Sequence, residues 1–132
     1  MATQSTTRPV TSPALPTPAG PYSPGVIAGN LVFVSGQAGR DPSTGALPDG
    51  VEAQTEQALR NVEAILRAAG SGLAHVVRCG VFLVDIAEFP KMNGVYARTF
   101  GDHRPARTTV EVSNLPGAGL RVEIDAIAVI PA

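Results

Sequence analysis

The stretch VEAQTEQALRNVEAILRAAGSGLAHVVRCGVFLV, residues 51–84, changes its hydrophobic period half-way along. In its first half Ala58, Leu59, Val62, Ile65, Leu66 and Ala69 recur every three or four residues, the spacing that gathers side chains on one helix face. Asp49-Gly50-Val51-Glu52 has the spacing of an N-cap followed by a capping-box acid, and Gly70 suits a left-handed C-terminal cap. From His75 to Val84 the run is apolar apart from His75 and Arg78 and reads as a long, largely buried strand. Cys79 sits inside that strand, where a free cysteine acts as a small buried hydrophobe.

Working outward, Val26-Ile27-Ala28 and Leu31-Val32-Phe33-Val34 flank Gly29-Asn30, a pair suited to a tight hairpin turn. The second strand ends at Ser35-Gly36-Gln37, and Asp41-Pro42-Ser43-Thr44-Gly45 is a loop by its turn residues. Downstream, a second helix is expected from Phe89-Pro90, since proline is tolerated in a first helical turn, to about Gly101. It carries Phe89, Met92, Tyr96 and Phe100 on one side, a stripe that reads as core. Strands over Arg107–Val112 and Leu120–Ile130 complete a β-β-α-β-α-β-β order. The expected class is α+β, a mixed sheet with two helices on one face.

The Thr/Ser/Pro-rich residues 1–18 read as a flexible tail, and residues 19–132 as a single domain. The tail lacks the apolar core of a secretory signal, and no apolar run is long enough to span a bilayer. The expected setting is cytoplasmic. Ten basic against eleven acidic residues give a net charge of −1 with no Lys/Arg run, so no nucleic-acid footprint is present. One cysteine and two widely spaced histidines offer no metal-ligand pattern. There is no phosphate-binding glycine loop, dinucleotide fingerprint or nucleophile elbow.

Strand alternation selects candidate site residues. In Arg107–Val112, the residues Arg107, Thr109 and Glu111 share one face; in the last strand Arg121, Glu123 and Asp125 do so. If the apolar residues of both strands face the helices, the helix-free side bears Arg107 and Glu123 together. That side is either a solvated face with incidental ion pairs, or a site in which Arg107 binds a carboxylate bidentately and Glu123 serves as base. Spacing does not choose between them.

Four segments resemble one known family: Gly20-Pro21-Tyr22-Ser23, Gly29 through Gln37, Pro105-Ala106-Arg107-Thr108-Thr109-Val110-Glu111-Val112, and Val122 through Ala128. Together they are similar to the RidA (YjgF-type) enamine/imine deaminases over roughly residues 19–131. The resemblance implies a chorismate-mutase-like fold assembled as a trimeric barrel, with clefts between subunits. It implies cofactor-free hydrolysis of 2-imino acids of the 2-aminoacrylate and 2-aminocrotonate type to 2-oxo acids and ammonia. By the same resemblance Arg107 would hold the substrate carboxylate, Glu123 would orient or activate water, and the Thr109 backbone would contact the imine nitrogen or that water. Tyr22, Ser35 and Gly36 would line the pocket, and Asn93 would support it. The link from Phe100 to Arg107 is shorter than in some relatives. Two other activities fall within the resemblance: a non-catalytic, small-molecule-binding regulatory trimer, and an endoribonuclease or translation inhibitor.

Overall fold

The computed structural model describes residues 6–15 and 17–132. Its strands and helices are β1 (Thr7–Pro9), β2 (Gly25–Ala28), β3 (Leu31–Ala38), α1 (Val51–Ala68), β4 (Val76–Leu83), α2 (Phe89–Phe100), β5 (Ala106–Glu111) and β6 (Val122–Val129). The strands form one sheet in the order β1-β2-β3-β6-β4-β5. Every pairing is antiparallel except β4 with β5, which α2 joins as a parallel crossover.

Both helices cover the same face. Leu59, Val62, Ile65 and Leu66 of α1 and Met92 of α2 are fully buried against Val32, Val81, Ile124 and Ala128 of the sheet. The expected α+β class and helix face are therefore found as read. Cys79 lies fully buried within this core. Gly70, at φ +85°, closes α1: its amide donates to the Arg67 carbonyl (3.0 Å) and the Ser71 amide to that of Leu66 (2.8 Å). Only glycine adopts that backbone without strain.

Two expectations are corrected. The N-cap of α1 is Gly50, with no side-chain cap, so Asp49 stands one residue too early to form the capping box. The flexible tail was expected over residues 1–18, of which 1–5 and 16 lie outside the described residues. Its described part contains β1, which pairs with β2 in the register Arg8↔Ile27, and Val10, which is buried in the core. Three residues of backbone pairing and one inserted valine suffice to seat this segment, and its Thr/Pro composition hides both.

Candidate active site

Five of the seven predicted site residues divide between two cavities, and Thr109 and Ser35 line neither. The larger, about 520 Å³, opens where β3 ends and β6 begins, and Tyr22, Gly36 and Glu123 line it. The smaller, about 370 Å³, lies between α2 and the approach to β5 and is lined by Asn93 and Arg107 together with Tyr96 and Arg104.

Arg107 is on the helix face of the sheet. It pairs with Cys79, which pairs with Ala126, and both partners are core residues. Glu123 lies opposite Phe82, and Phe82 opposite Val110, on the helix-free face. The expectation that Arg107 and Glu123 share the helix-free side is thus overturned. Alternation tells which residues share a face but not which face it is. The open face is itself partly apolar, with Phe33 41% and Val110 37% exposed, so the valines of β5 do not mark the core.

Around Arg107 the sequence reading missed two partners. The guanidinium carbon lies 4.6 Å from the Tyr96 ring centroid and 5.4 Å from that of Phe89. Such stacking contributes about 0.5–2 kcal/mol and fixes the plane of the group. The i, i+7 spacing of Phe89 and Tyr96 placed them correctly on one helix face but could not show a cation between them. The Arg107 guanidinium makes no ion pair and no hydrogen bond among the described residues. Its donors are held in place and unused. Below it, the Tyr96 hydroxyl is buried near the Cys79 thiol without an aligned hydrogen bond. Burial first, then Cys79, pushes the Tyr96 pKa up, and burial likewise raises that of Cys79. Both stay neutral and serve as packing.

Thr109 lines neither cavity, and its side chain points with Arg107 toward the helices. Its backbone is informative. The Val112 amide donates to the Leu83 carbonyl at 2.8 Å, so by alternation the N–H and C=O of Thr109 point away from β4. β5 is the edge of the sheet, and that edge is where a ligand could meet the Thr109 main chain.

Around Glu123, close approach decides the geometry. A Cβ placed on Gly36 would sit 2.8 Å from the Glu123 carboxyl carbon; the absent side chain is the space Glu123 occupies. Glu123 is half-buried, and its pKa is raised, by burial foremost and by the neighbouring Asp125 second. A register shift between Val34 and Gln37 turns Gly36 toward it. Ser35 acts at a distance from the carboxylate. Its hydroxyl donates to the Ser23 carbonyl at 2.6 Å, tying the Gly20–Pro24 segment to β3. Tyr22 remains half-exposed at the cavity mouth, its hydroxyl accepting from the Ala19 amide at 3.3 Å. Buried polar groups on α1 brace the far wall. Asn61 donates to the carbonyls of Ala38 (3.0 Å) and Arg40 (2.8 Å). Gln54 donates to those of Pro48 and Gly119 and accepts from the Arg121 amide.

Comparison with known proteins identifies the family and the fold. Residues 12–130 match the model of the endoribonuclease L-PSP family. The chain belongs to this family, that of the YjgF and RidA proteins. The RutC family protein of Pyrococcus horikoshii is 50% identical over 114 residues, which cover 86% of this chain and 90% of that protein. The 2-iminobutanoate/2-iminopropanoate deaminase of Salmonella typhimurium is 44% identical over 117 residues, covering 86% and 91%. Among solved structures, Escherichia coli TdcF with bound serine superposes with a TM-score of 0.87 at 38% identity, over 92% of this chain and 98% of that one. The mixed sheet with two helices is accordingly the RidA fold. Among the described residues no helix is long and apolar enough to cross a membrane.

Proposed function

We propose that this RidA-family chain hydrolyses short 2-imino acids to 2-oxo acids and ammonia, at sites completed between copies of itself. The observation that carries the reading is the Arg107 guanidinium: stacked between Phe89 and Tyr96, partly withdrawn from water, and without a counter-ion among the described residues. A planar fork in that state suits a carboxylate, which it binds through two parallel charge-assisted bonds. Relatives bearing the deaminase name and a structural neighbour that holds serine support a small carboxylate-bearing substrate.

The placement of Arg107 and Glu123 on the two sheet faces supports a site completed by a second copy. No small molecule can touch both Arg107 and Glu123 of one chain, because the sheet stands between them. A second copy that presents its Glu123 cavity to the Arg107 edge of the first completes a site. Such a contact joins two different patches and is heterologous, the kind that forms a ring when its rotation closes; the family resemblance points to a closed ring of three copies. The partly apolar open face bearing Phe33 and Val110 gives that assembly surface to bury.

With the carboxylate fixed, the imine carbon is already electrophilic, and positioning supplies much of the acceleration. Water adds to that carbon while Glu123 accepts its proton. Glu123 then returns the proton to nitrogen and takes the hydroxyl proton as the carbonyl forms, the C–N bond breaks, and ammonia leaves. Thr109 would contribute its free backbone edge, Tyr22 and Gly36 the wall of one cavity and Asn93 that of the other, with Ser35 holding the Tyr22 segment in place. The test is a coupled assay in which a threonine dehydratase supplies the imine and its loss is timed with and without this protein. Acceleration that survives Arg107→Ala overturns the reading, and RNA cleavage abolished by Glu123→Ala would replace it.

A further inference from the structure

A second cation stands in the Arg107 cavity. Arg104, three residues upstream, lines the same space, and the intervening chain limits the two Cα atoms to a separation of about 11 Å. The Arg104 Nη1 donates to the carbonyls of Gly101 and His103, which pins the side chain against its own turn. The turn is itself anchored by the His103 ring, whose Nε2 lies 2.6 Å from the Val76 carbonyl oxygen, and by Phe100, 6.2 Å away between ring centroids. The short link between α2 and β5 therefore has a fixed shape. Among the described residues neither arginine has a carboxylate partner, and no acidic side chain lines the cavity.

Arg104 is exposed to solvent, and two guanidinium groups lining one small space repel each other, screened by water, until an anion enters. A monocarboxylate on Arg107 leaves Arg104 without a carboxylate among the described residues of its own chain. We propose that Arg104 is a specificity-determining residue that directs this cavity toward dianions, and that the preferred substrates are short 2-imino dicarboxylic acids whose distal carboxylate Arg104 receives. The chemical half of this rests on the imine-hydrolysis reading; the charge preference does not. The reaction balances as before: a C–O bond forms from water, the C–N bond breaks, and ammonia and a 2-oxo dicarboxylate leave without change of oxidation state. An oxidase acting on an acidic amino acid is the class of reaction that supplies such an imine.

The experiment has two arms. In the first, 2-iminosuccinate made in place from aspartate by an amino-acid oxidase, and 2-iminobutanoate made by a threonine dehydratase, are offered to the wild-type chain and to Arg104→Ala, Arg104→Gln and Arg104→Lys. The ratio of kcat/KM for the diacid over the monoacid should fall about tenfold in the Ala and Gln variants, chiefly through KM, and recover in part with Lys. In the second, calorimetry compares 2-oxoglutarate with 2-oxobutanoate. The wild-type chain should bind the diacid about tenfold more tightly, and Arg104→Ala should erase the difference. Turnover of both imines at an unchanged ratio, or equal affinity for both oxo acids, overturns the role of Arg104 and leaves imine hydrolysis standing. A diacid preference in binding without turnover of either imine does the reverse.

Discussion

Arg107 and Glu123 stand on opposite faces of one sheet, separated by β4, the strand that pairs with both of theirs. Two inactive variants should therefore rescue each other. Arg107→Ala retains a good Glu123, and Glu123→Gln a good Arg107. If the two are unfolded together and refolded at equal ratio, random assortment around a ring restores about a quarter of the sites. Activity of the mixture near that level, with each variant alone silent, is the expected result. A mixture as silent as its parents would sink the shared site.

Arg107→Lys should rescue little. An ammonium keeps the charge but offers no planar fork and stacks poorly between Phe89 and Tyr96. The expected loss in kcat/KM is about tenfold to a hundredfold, the worth of a charge-assisted hydrogen bond. Steady-state kinetics on 2-iminobutanoate measure it, and near-normal activity would mean that stacking and fork geometry are immaterial.

Stability should depend on pH through Glu123. Burial and Asp125 raise its pKa above the ordinary 4.5. Between that value and the raised one, the folded chain holds a proton the unfolded chain has lost. Its contribution is fully present below pH 4.5 and is lost as pH rises through the raised value. Glu123→Gln removes this loss. Its Tm should match the wild type in acid and exceed it at about pH 8; a constant difference would contradict the assignment. Activity should follow the same group in the opposite sense, rising with pH as the carboxylate forms.

Gly36→Ala tests the close approach at β3. The added methyl would meet the Glu123 carboxyl carbon at 2.8 Å, so the carboxylate must swing away. A displacement of that kind costs catalysis about a hundredfold, while the core, which Gly36 does not touch, should hold the fold. The check is kcat at unchanged far-ultraviolet circular dichroism.

These sites were unequally legible in the chain. The hairpin at Gly29-Asn30, the α1 face and the Gly70 terminus are local matters, decided by residues within a few positions of one another, and the structure matches them. The face of Arg107 is not local. It depends on which side α2 covers and on an open face carrying Phe33, Phe82 and Val110, so hydrophobic alternation pointed the wrong way. The close approach of Gly36 to the Glu123 side chain joins residues far apart in the chain and rests on a register shift that no short window reveals. Arg104 lay in view, but the cavity it shares with Arg107 exists only once α2 is docked.

The three-residue strand at the opposite end of the sheet has a bearing on solubility. Val10 sends its amide inward to the Gly25 carbonyl, so by alternation Pro9 sits where an outward amide would be. Proline has none to offer. The outer rim of β1 is thereby blunted against strand-by-strand growth, a common protection against fibre formation. On the β5 side Pro105 stands at an outward position just before the strand, while Ala106–Glu111 itself holds no proline. Under the proposed assembly, β5 rather than β1 is the border left open to a copy of the chain.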